Sequence, residues 1–139
     1  GNITINYVEM EKLTVESGAG NIKLEQIQSN QLVADSGAGN INGMYCKGKI
    51  IAESGAGNIL FHVDGEEDVT VKTGVGNIQA YFTDIETLNA TLTASASVGK
   101  VHSDFLMDGN KFSHVFKDGE KNITFKTGAG NINLYRDVK

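Results

Sequence analysis

The hexapeptide Ser17-Gly18-Ala19-Gly20-Asn21-Ile22 recurs along the chain with almost no change, and this recurrence indicates the architecture. Four further copies, two of them opened by threonine, begin at Ser36, Ser54, Thr73 and Thr127. A degenerate copy reads Ala96-Ser97-Val98-Gly99-Lys100-Val101. The second glycine falls at positions 20, 39, 57, 76, 99 and 130, so the steps between copies are 19, 18, 19, 23 and 31 residues. Self-similarity at a period near 19 residues is the signature of a repeat architecture.

Apolar and polar residues alternate on both sides of each glycine pair. Leu13 and Val15 precede the first pair, and Ile22 and Leu24 follow it. A period of two with one polar face is typical of a half-buried β-strand. Each repeat therefore reads as a strand, a glycine corner, a second strand and a short return. Because a single unit of this size cannot bury its apolar face, we expect the copies to stack, with each strand parallel to its equivalent.

The sequence thus predicts an all-β, single-stranded parallel β-helix, or β-solenoid, of about six to seven rungs that forms a single domain over residues 1–139. Stacking in chain order predicts one buried aliphatic column of Ile22, Ile41, Ile59, Ile78, Val101 and Ile132. The glycines would supply a positive φ or allow close backbone approach at the corners. Because the chain begins at Gly1-Asn2-Ile3, which resembles the tail of a rung, we expect it to be a fragment of a longer protein.

The long step between the last two copies places an insertion at 104–122. This segment contains Asp108-Gly109 and Asp118-Gly119, which are turn signals of β-hairpins. We interpret it as a hairpin that caps a sheet edge or the C-terminal end of the stack, because solenoids need protection against edge-to-edge association. A binding loop is the alternative interpretation.

Composition excludes several classes of protein. Lys and Arg number 12 and Asp and Glu number 17, so the formal net charge is −5 and the sequence pI is about 5.1. That balance argues against a nucleic-acid partner, which requires clustered positive charge. One cysteine excludes an internal disulfide framework or a multi-cysteine metal site. No apolar run approaches the roughly 18–20 residues that span a bilayer, so we expect no direct membrane insertion by this segment.

The asparagine that follows each glycine pair is the most regular polar position. We interpret these residues as a structural ladder whose amides form buried hydrogen bonds from rung to rung and satisfy backbone groups of the turns; its members are Asn21, Asn40, Asn58, Asn77 and Asn131. Calcium binding, as in glycine- and aspartate-rich β-rolls, is the weaker alternative, because this ladder has no carboxylates. The glycines lack the third member and the following helix of a dinucleotide-binding motif. We therefore predict no cofactor, no metal site and no catalytic residue.

A mixed apolar and aromatic strip is the one surface that suggests binding. If the isoleucine after each asparagine points inward, then Met44, Leu60, His62 and Tyr81 point outward on the same sheet. This composition suits contact with a carbohydrate or a protein. It equally suits packing against the inserted hairpin or a second copy of the chain.

The repeated Ser/Thr-Gly-x-Gly-Asn-Ile hexamer, its degenerate copy at 97–101 and the closing copy at 127–132 resemble the bacterial "putative adhesin" repeat domain over essentially the whole chain. The resemblance implies a β-helical fold, association with the cell envelope and no catalytic or metal residues. We therefore expect a non-enzymatic, extracytoplasmic, adhesion-like scaffold that binds a protein or a cell-wall glycan; the chain itself leaves a cytoplasmic location open.

Two alternatives remain at this stage. The first is a structural or sensory module of an envelope-stress response that acts by protein–protein contact or self-association. The second is a carbohydrate-active enzyme, which would need a cluster of carboxylates in a groove. Single acids such as Glu16, Asp35 and Glu53 stand on outward positions and favour a solvated face instead.

Overall fold

The computed structural model describes residues 2–63, 68–82, 90–103 and 111–136, apart from the side chains of 45–47, 63, 111–114, 116 and 136. Within these ranges the chain forms twelve strands, and the predicted all-β solenoid is confirmed. They are β1 (Ile3–Ile5), β2 (Val8–Ala19), β3 (Ile22–Ala38), β4 (Ile41–Ala56), β5 (Ile59–Val63), β6 (Val69–Val75), β7 (Ile78–Phe82), β8 (Ala90–Val98), β9 (Val101–Ser103), β10 (Lys111–Phe116), β11 (Lys121–Ala129) and β12 (Ile132–Arg136).

Each rung contributes one strand before its glycine corner and one strand after it. We call the stack of strands before the corners the serine sheet and the stack after them the asparagine sheet. The long strands β3 and β4 belong to both sheets, because each contains the second strand of one rung and the first strand of the next. Apolar side chains of both sheets form one buried cluster between them.

The rungs up to residue 82 stack in the order in which the chain reaches them. The serine sheet runs β2, β3, β4, β6, and the asparagine sheet runs β1, β3, β4, β5, β7. Ile22 pairs with Ile41, Ile41 with Ile59, and Ile59 with Ile78, all in parallel. This part of the predicted aliphatic column is confirmed.

The last rung of the sequence is not the last rung in space. Strand β12 lies between β7 and β9, and β11 lies between β6 and β8. Ile132 therefore pairs with both Ile78 and Val101, and the predicted order of the final two members of the column is wrong. The physical reason is that Lys100, unlike asparagine, has no side-chain oxygen with which to accept a hydrogen bond from a further rung, so its rung suits only the end of the stack.

The predicted insertion at 104–122 lies partly outside the described residues, since 104–110 are not described. The part that follows forms β10, which pairs antiparallel with β8, from Lys111 opposite Ser95 to Phe116 opposite Ala90. Strand β10 thereby covers the outer edge of β8 at the end of the serine sheet. The chain then returns through residues 117–120 to β11, on the opposite side of β8.

Close packing explains the glycines at two kinds of position. At the corner, Gly39 has a φ of 138°, and a Cβ there would overlap the carbonyl oxygen of Gly20 in the rung below. In the core, a Cβ on Gly43 would overlap the ring of Phe61. The predicted need for positive φ and close backbone approach is therefore confirmed at the corners.

Phe82 and Phe125 pack against each other in the core between the two sheets, with ring centroids 6.1 Å apart and ring planes at 87°.

Candidate functional site

The asparagines after the glycine corners form a continuous chain of hydrogen bonds along the solenoid. The Oδ1 atom of Asn21 accepts from the backbone N–H of Asn40 at 2.9 Å, and this contact recurs in each following rung. The further donor–acceptor pairs are Asn58 to Asn40, Asn77 to Asn58 and Asn131 to Asn77, each at 2.8 Å. Asn2 adds a step at the start, and the backbone N–H of Lys100 ends the ladder on Asn131 at 3.0 Å.

The ladder side chains are exposed, so the expectation that their hydrogen bonds are buried is wrong. Their Oδ1 atoms nevertheless accept from backbone N–H groups, which satisfies donors that the corner leaves outside the strand pairing. Each Oδ1 atom is thus directed at a backbone N–H group, and the ladder has no carboxylate of the kind that calcium sites use. The geometry therefore favours the structural interpretation of Asn21, Asn40, Asn58, Asn77 and Asn131 over calcium binding.

A second ladder, of buried hydroxyl groups, runs inside the corners. Ser36 donates from Oγ to the carbonyl oxygen of Gly20 at 3.1 Å. The same contact recurs from Ser54 to Gly39, from Thr73 to Gly57 and from Thr127 to Gly76. At the equivalent position of the end rung stands Ala96, which has no hydroxyl. The degenerate motif thus lacks both ladder groups. Its lysine in place of asparagine was the signal in the sequence that its rung ends the stack, since terminal repeats are commonly atypical.

Three aromatic rings stack on the outer surface of the asparagine sheet. His62 and Tyr81 have ring centroids 5.0 Å apart at 16°, and Tyr81 and Tyr135 are also 5.0 Å apart at 25°. We call these three residues the aromatic ridge. All three are half-buried. The predicted strip did not include Tyr135. If the rungs were stacked in chain order, the rung of Val101 would lie between Tyr81 and Tyr135.

The other members of the predicted strip lie beside this ridge. Gly43 pairs with Phe61 on the neighbouring strand. Because Met44 follows Gly43 and His62 follows Phe61, Met44 lies one rung before His62 in the same column. Leu60 is half-buried in the neighbouring outward column, where it pairs with Asn42 and Gln79. Leu60 also lines a shallow groove of about 210 Å³ between the asparagine ladder and the ridge. The structure thus places all four predicted residues on one face.

The described part of the chain holds no group of three or more His, Cys, Asp or Glu residues that could bind a metal ion. In the same ranges no helix has the length and hydropathy needed to cross a bilayer.

Comparison with solved structures finds a likeness in fold. A crystal structure described as a "putative cell adhesion protein", from Clostridium sporogenes, superposes with a TM-score of 0.60 at 13% sequence identity, covering 97% of this chain and 93% of that one. At that identity the likeness concerns the fold alone. No curated protein matches the sequence. The sequence model of one family, described as Toastrack DUF4097, matches residues 1–135, and the chain therefore belongs to the Toastrack DUF4097 family.

Proposed function

We propose that this chain is a non-enzymatic, cell-envelope-associated, adhesion-like scaffold that binds a macromolecular partner through the aromatic ridge. The general role is supported by the structural neighbour described as a "putative cell adhesion protein". The recurrent Gly-x-Gly-Asn-Ile hexamer is, in this proposal, the element that builds the scaffold and not the element that binds. The serine or threonine side chains and the asparagine side chains of the hexamers form hydrogen bonds of the two corner ladders.

The stacking of His62, Tyr81 and Tyr135 is the observation that carries the proposal. Because each ring lies 5.0 Å from the next at a small interplanar angle, the inner ring faces cover one another. Sugars bind aromatic side chains by stacking on free ring faces, whereas protein partners also use ring edges and tyrosine hydroxyls. The ridge therefore suits a protein partner better than a glycan.

The rigid setting of the ridge favours binding as well. The residues between the ridge positions, such as Phe61, Ala80 and Phe82, are buried in the core, so the ridge side chains stand on a packed parallel sheet. Preorganised side chains lose little conformational entropy when a partner binds. The alternative role, a sensory or structural module of an envelope-stress response, stays a prediction, because no contact in the described part of the chain favours it.

The experiment is a binding assay of the labelled chain on isolated bacterial envelopes, before and after protease treatment, and on purified cell-wall glycan. We expect protease-sensitive binding that falls about tenfold or more when Tyr81 and Tyr135 are both replaced by alanine, since central aromatic side chains dominate interfaces. Tyr7→Ala is the matched control, because Tyr7 is 63% exposed and lies outside the ridge. Thermal unfolding verifies that each variant folds.

Unchanged binding by the double variant would remove the ridge from the proposal. Protease-resistant binding that follows the purified glycan, and that is lost in the same variant, would keep the scaffold role and replace the protein partner with a glycan.

A further inference from the structure

The outward face of the serine sheet carries an ordered pattern of charge. One exposed column is formed by residues that pair strand to strand, in the spatial order Glu16, Asp35, Glu53, Lys72 and Lys126. Its sign therefore changes once, between β4 and β6, from three acids to two lysines. The two lysines are neighbours because the inserted rung brings Lys126 next to Lys72.

The column at the other end of the same strands has the reverse order of sign. Lys12, Gln31 and Lys49 pair along the first three rungs, and Asp68 and Asn122 continue the column, preceding the pair Val69 and Ile123. Between the two charged columns lies an uncharged column of β-branched side chains, which are Thr14, Val33, Ile51, Thr70 and Thr124. The two ends of the face thus carry acids and lysines in opposite order around a neutral centre, with Asp68 as the acid of the second column.

Within a single chain, Glu53 and Lys72 are favourable neighbours, but like charges are adjacent on both sides of that pair. Paired strands are about 4.8 Å apart, so Asp35 stands close to two other carboxylates and Lys126 stands close to Lys72. Like charges opposite each other on paired strands destabilise a sheet. Asp35, Glu53, Lys72 and Lys126 together line a shallow groove of about 380 Å³, which keeps them accessible from outside.

We propose that this face binds a second copy of the same chain. The two copies are related by a two-fold axis that runs along the strand direction and passes between β4 and β6. Such an axis reverses the order of the rungs and keeps the columns. It places Glu53 opposite Lys72 of the second copy, and Asp35 opposite Lys126 of the second copy. It also brings Lys49 opposite Asp68 of the second copy, and each contact occurs twice in an isologous dimer.

The charges select this arrangement over its neighbours. A shift by one rung would place Lys72 opposite Lys72 of the second copy, and like charges across an interface suppress a wrong register. A two-fold axis along the solenoid would exchange the two charged columns and would oppose as many unlike charges, which are Glu16 to Lys12, Glu53 to Lys49 and Lys72 to Asp68. That axis, however, would set Asp35 and Lys126 against amide side chains inside the interface. In the proposed arrangement the charges without an ionic partner are Lys12 and Glu16, which lie at the rim, where they stay hydrated.

The size of the face sets the expected affinity. Six rungs at about 4.8 Å and five residues at about 3.3 Å give a surface of roughly 29 Å by 17 Å, or about 500 Å² per copy. Stable complexes bury about 800 Å² per partner, so we expect a weak and reversible dimer. The asparagine sheets, with their aromatic ridges, would lie on opposite outer surfaces of this dimer, which would make it bivalent.

The experiment measures the mass of the chain by sedimentation equilibrium at low salt, for the wild type and for Lys72→Glu and Glu53→Lys. We expect a reversible wild-type dimer, with a Kd of roughly 10–500 μM that increases with salt. Each variant alone should dimerise at least about tenfold more weakly, because it sets like charges opposite each other. An equimolar mixture of the two variants should dimerise again, since every Glu53–Lys72 contact in the heterodimer is then between opposite charges.

Three controls keep the test decisive. Lys23→Glu makes the same charge change at an exposed position of the asparagine sheet and should leave the Kd unchanged. Asp35→Lys with Lys126→Glu provides a second complementary pair, and thermal unfolding confirms that each variant folds. A wild-type chain that is monomeric at about 1 mM overturns the proposal. Variants that dimerise like the wild type, or a mixture that fails to recover the dimer, overturn it as well.

Discussion

From β1 to β7 the strands stack in the order of the chain, whereas after β7 they do not. The rung of β11 and β12 is stacked between the rung that ends with β7 and the rung of β8 and β9. The rung of β11 and β12 uses the same hexamer and the same hydrogen bonds at its corner as the rungs of the first region. The difference shows that a repeat motif specifies which residues share a column, but not which rungs are neighbours. Any rung that presents a full corner can stack on any other.

End effects explain the choice of order in the second region. A full rung donates its asparagine backbone N–H to the rung below and offers Oδ1 to the rung above. The rung of Lys100 can donate but has no such oxygen to offer. Placed next to β7, it would leave the N–H of Asn131 without its acceptor. In the observed order that N–H is satisfied by Asn77.

The largest expected effect concerns the order itself and can be tested with engineered disulfides. With Cys46 replaced by serine, Gln79→Cys and Asn133→Cys should form a disulfide, because these positions are paired. Neighbouring strands lie about 4.8 Å apart, within the roughly 4.4–6.8 Å Cα separation that a disulfide tolerates. The matched pair is Gln79→Cys with His102→Cys, which lie two strands apart and should stay reduced. Non-reducing peptide mapping distinguishes them, and the opposite result would restore chain order.

A smaller effect tests whether the corners of the two regions are equivalent. A Cβ at Gly37 would lie 2.5 Å from the carbonyl oxygen of Gly18, and one at Gly128 would lie 2.6 Å from that of Gly74. We expect each alanine variant to lower the free energy of unfolding by about 1–3 kcal/mol, as overpacking does. Gly18→Ala is the control, because nothing lies within 4 Å of its Cβ position. Urea denaturation measures all three, and unequal losses at Gly37 and Gly128 would show that the corners differ.

The smallest effect concerns the ladder at the junction of the two regions. Asn77→Ala removes the acceptor of the Asn131 N–H, and we expect it to lower the free energy of unfolding by about 0.5–1 kcal/mol, because the exposed N–H can bind water instead. Lys100→Ala keeps the backbone donor and should change the stability by less than about 0.5 kcal/mol. Chemical denaturation of both variants measures the difference. Equal losses would show that the Oδ1 acceptor of Asn77 adds nothing to the stability of the corner.

Much of the fold and part of the site could be predicted from local pattern. The alternation around residues such as Leu32 and Ile41 indicated the strands, and the position of Leu60, His62 and Tyr81 after their isoleucines indicated one outward face. Tyr135 could not be assigned to that face, because its column neighbour is set by a contact 54 residues away in the chain. The exposure of the asparagine ladder was also missed, since it depends on how far the corner protrudes from the core.

The columns follow from local pattern alone: a period of two sets which side chains enter the core, and a period near 19 sets which residues can lie above one another. The order of the rungs is visible only in the folded chain, because every complete corner offers the same backbone donors and acceptors to its neighbour. The choice then depends on the chemistry at the end of the stack, where Lys100 replaces the asparagine whose Oδ1 atom a following rung would require. That choice in turn places Tyr135 beside Tyr81 and Lys126 beside Lys72, and so determines both proposed surfaces.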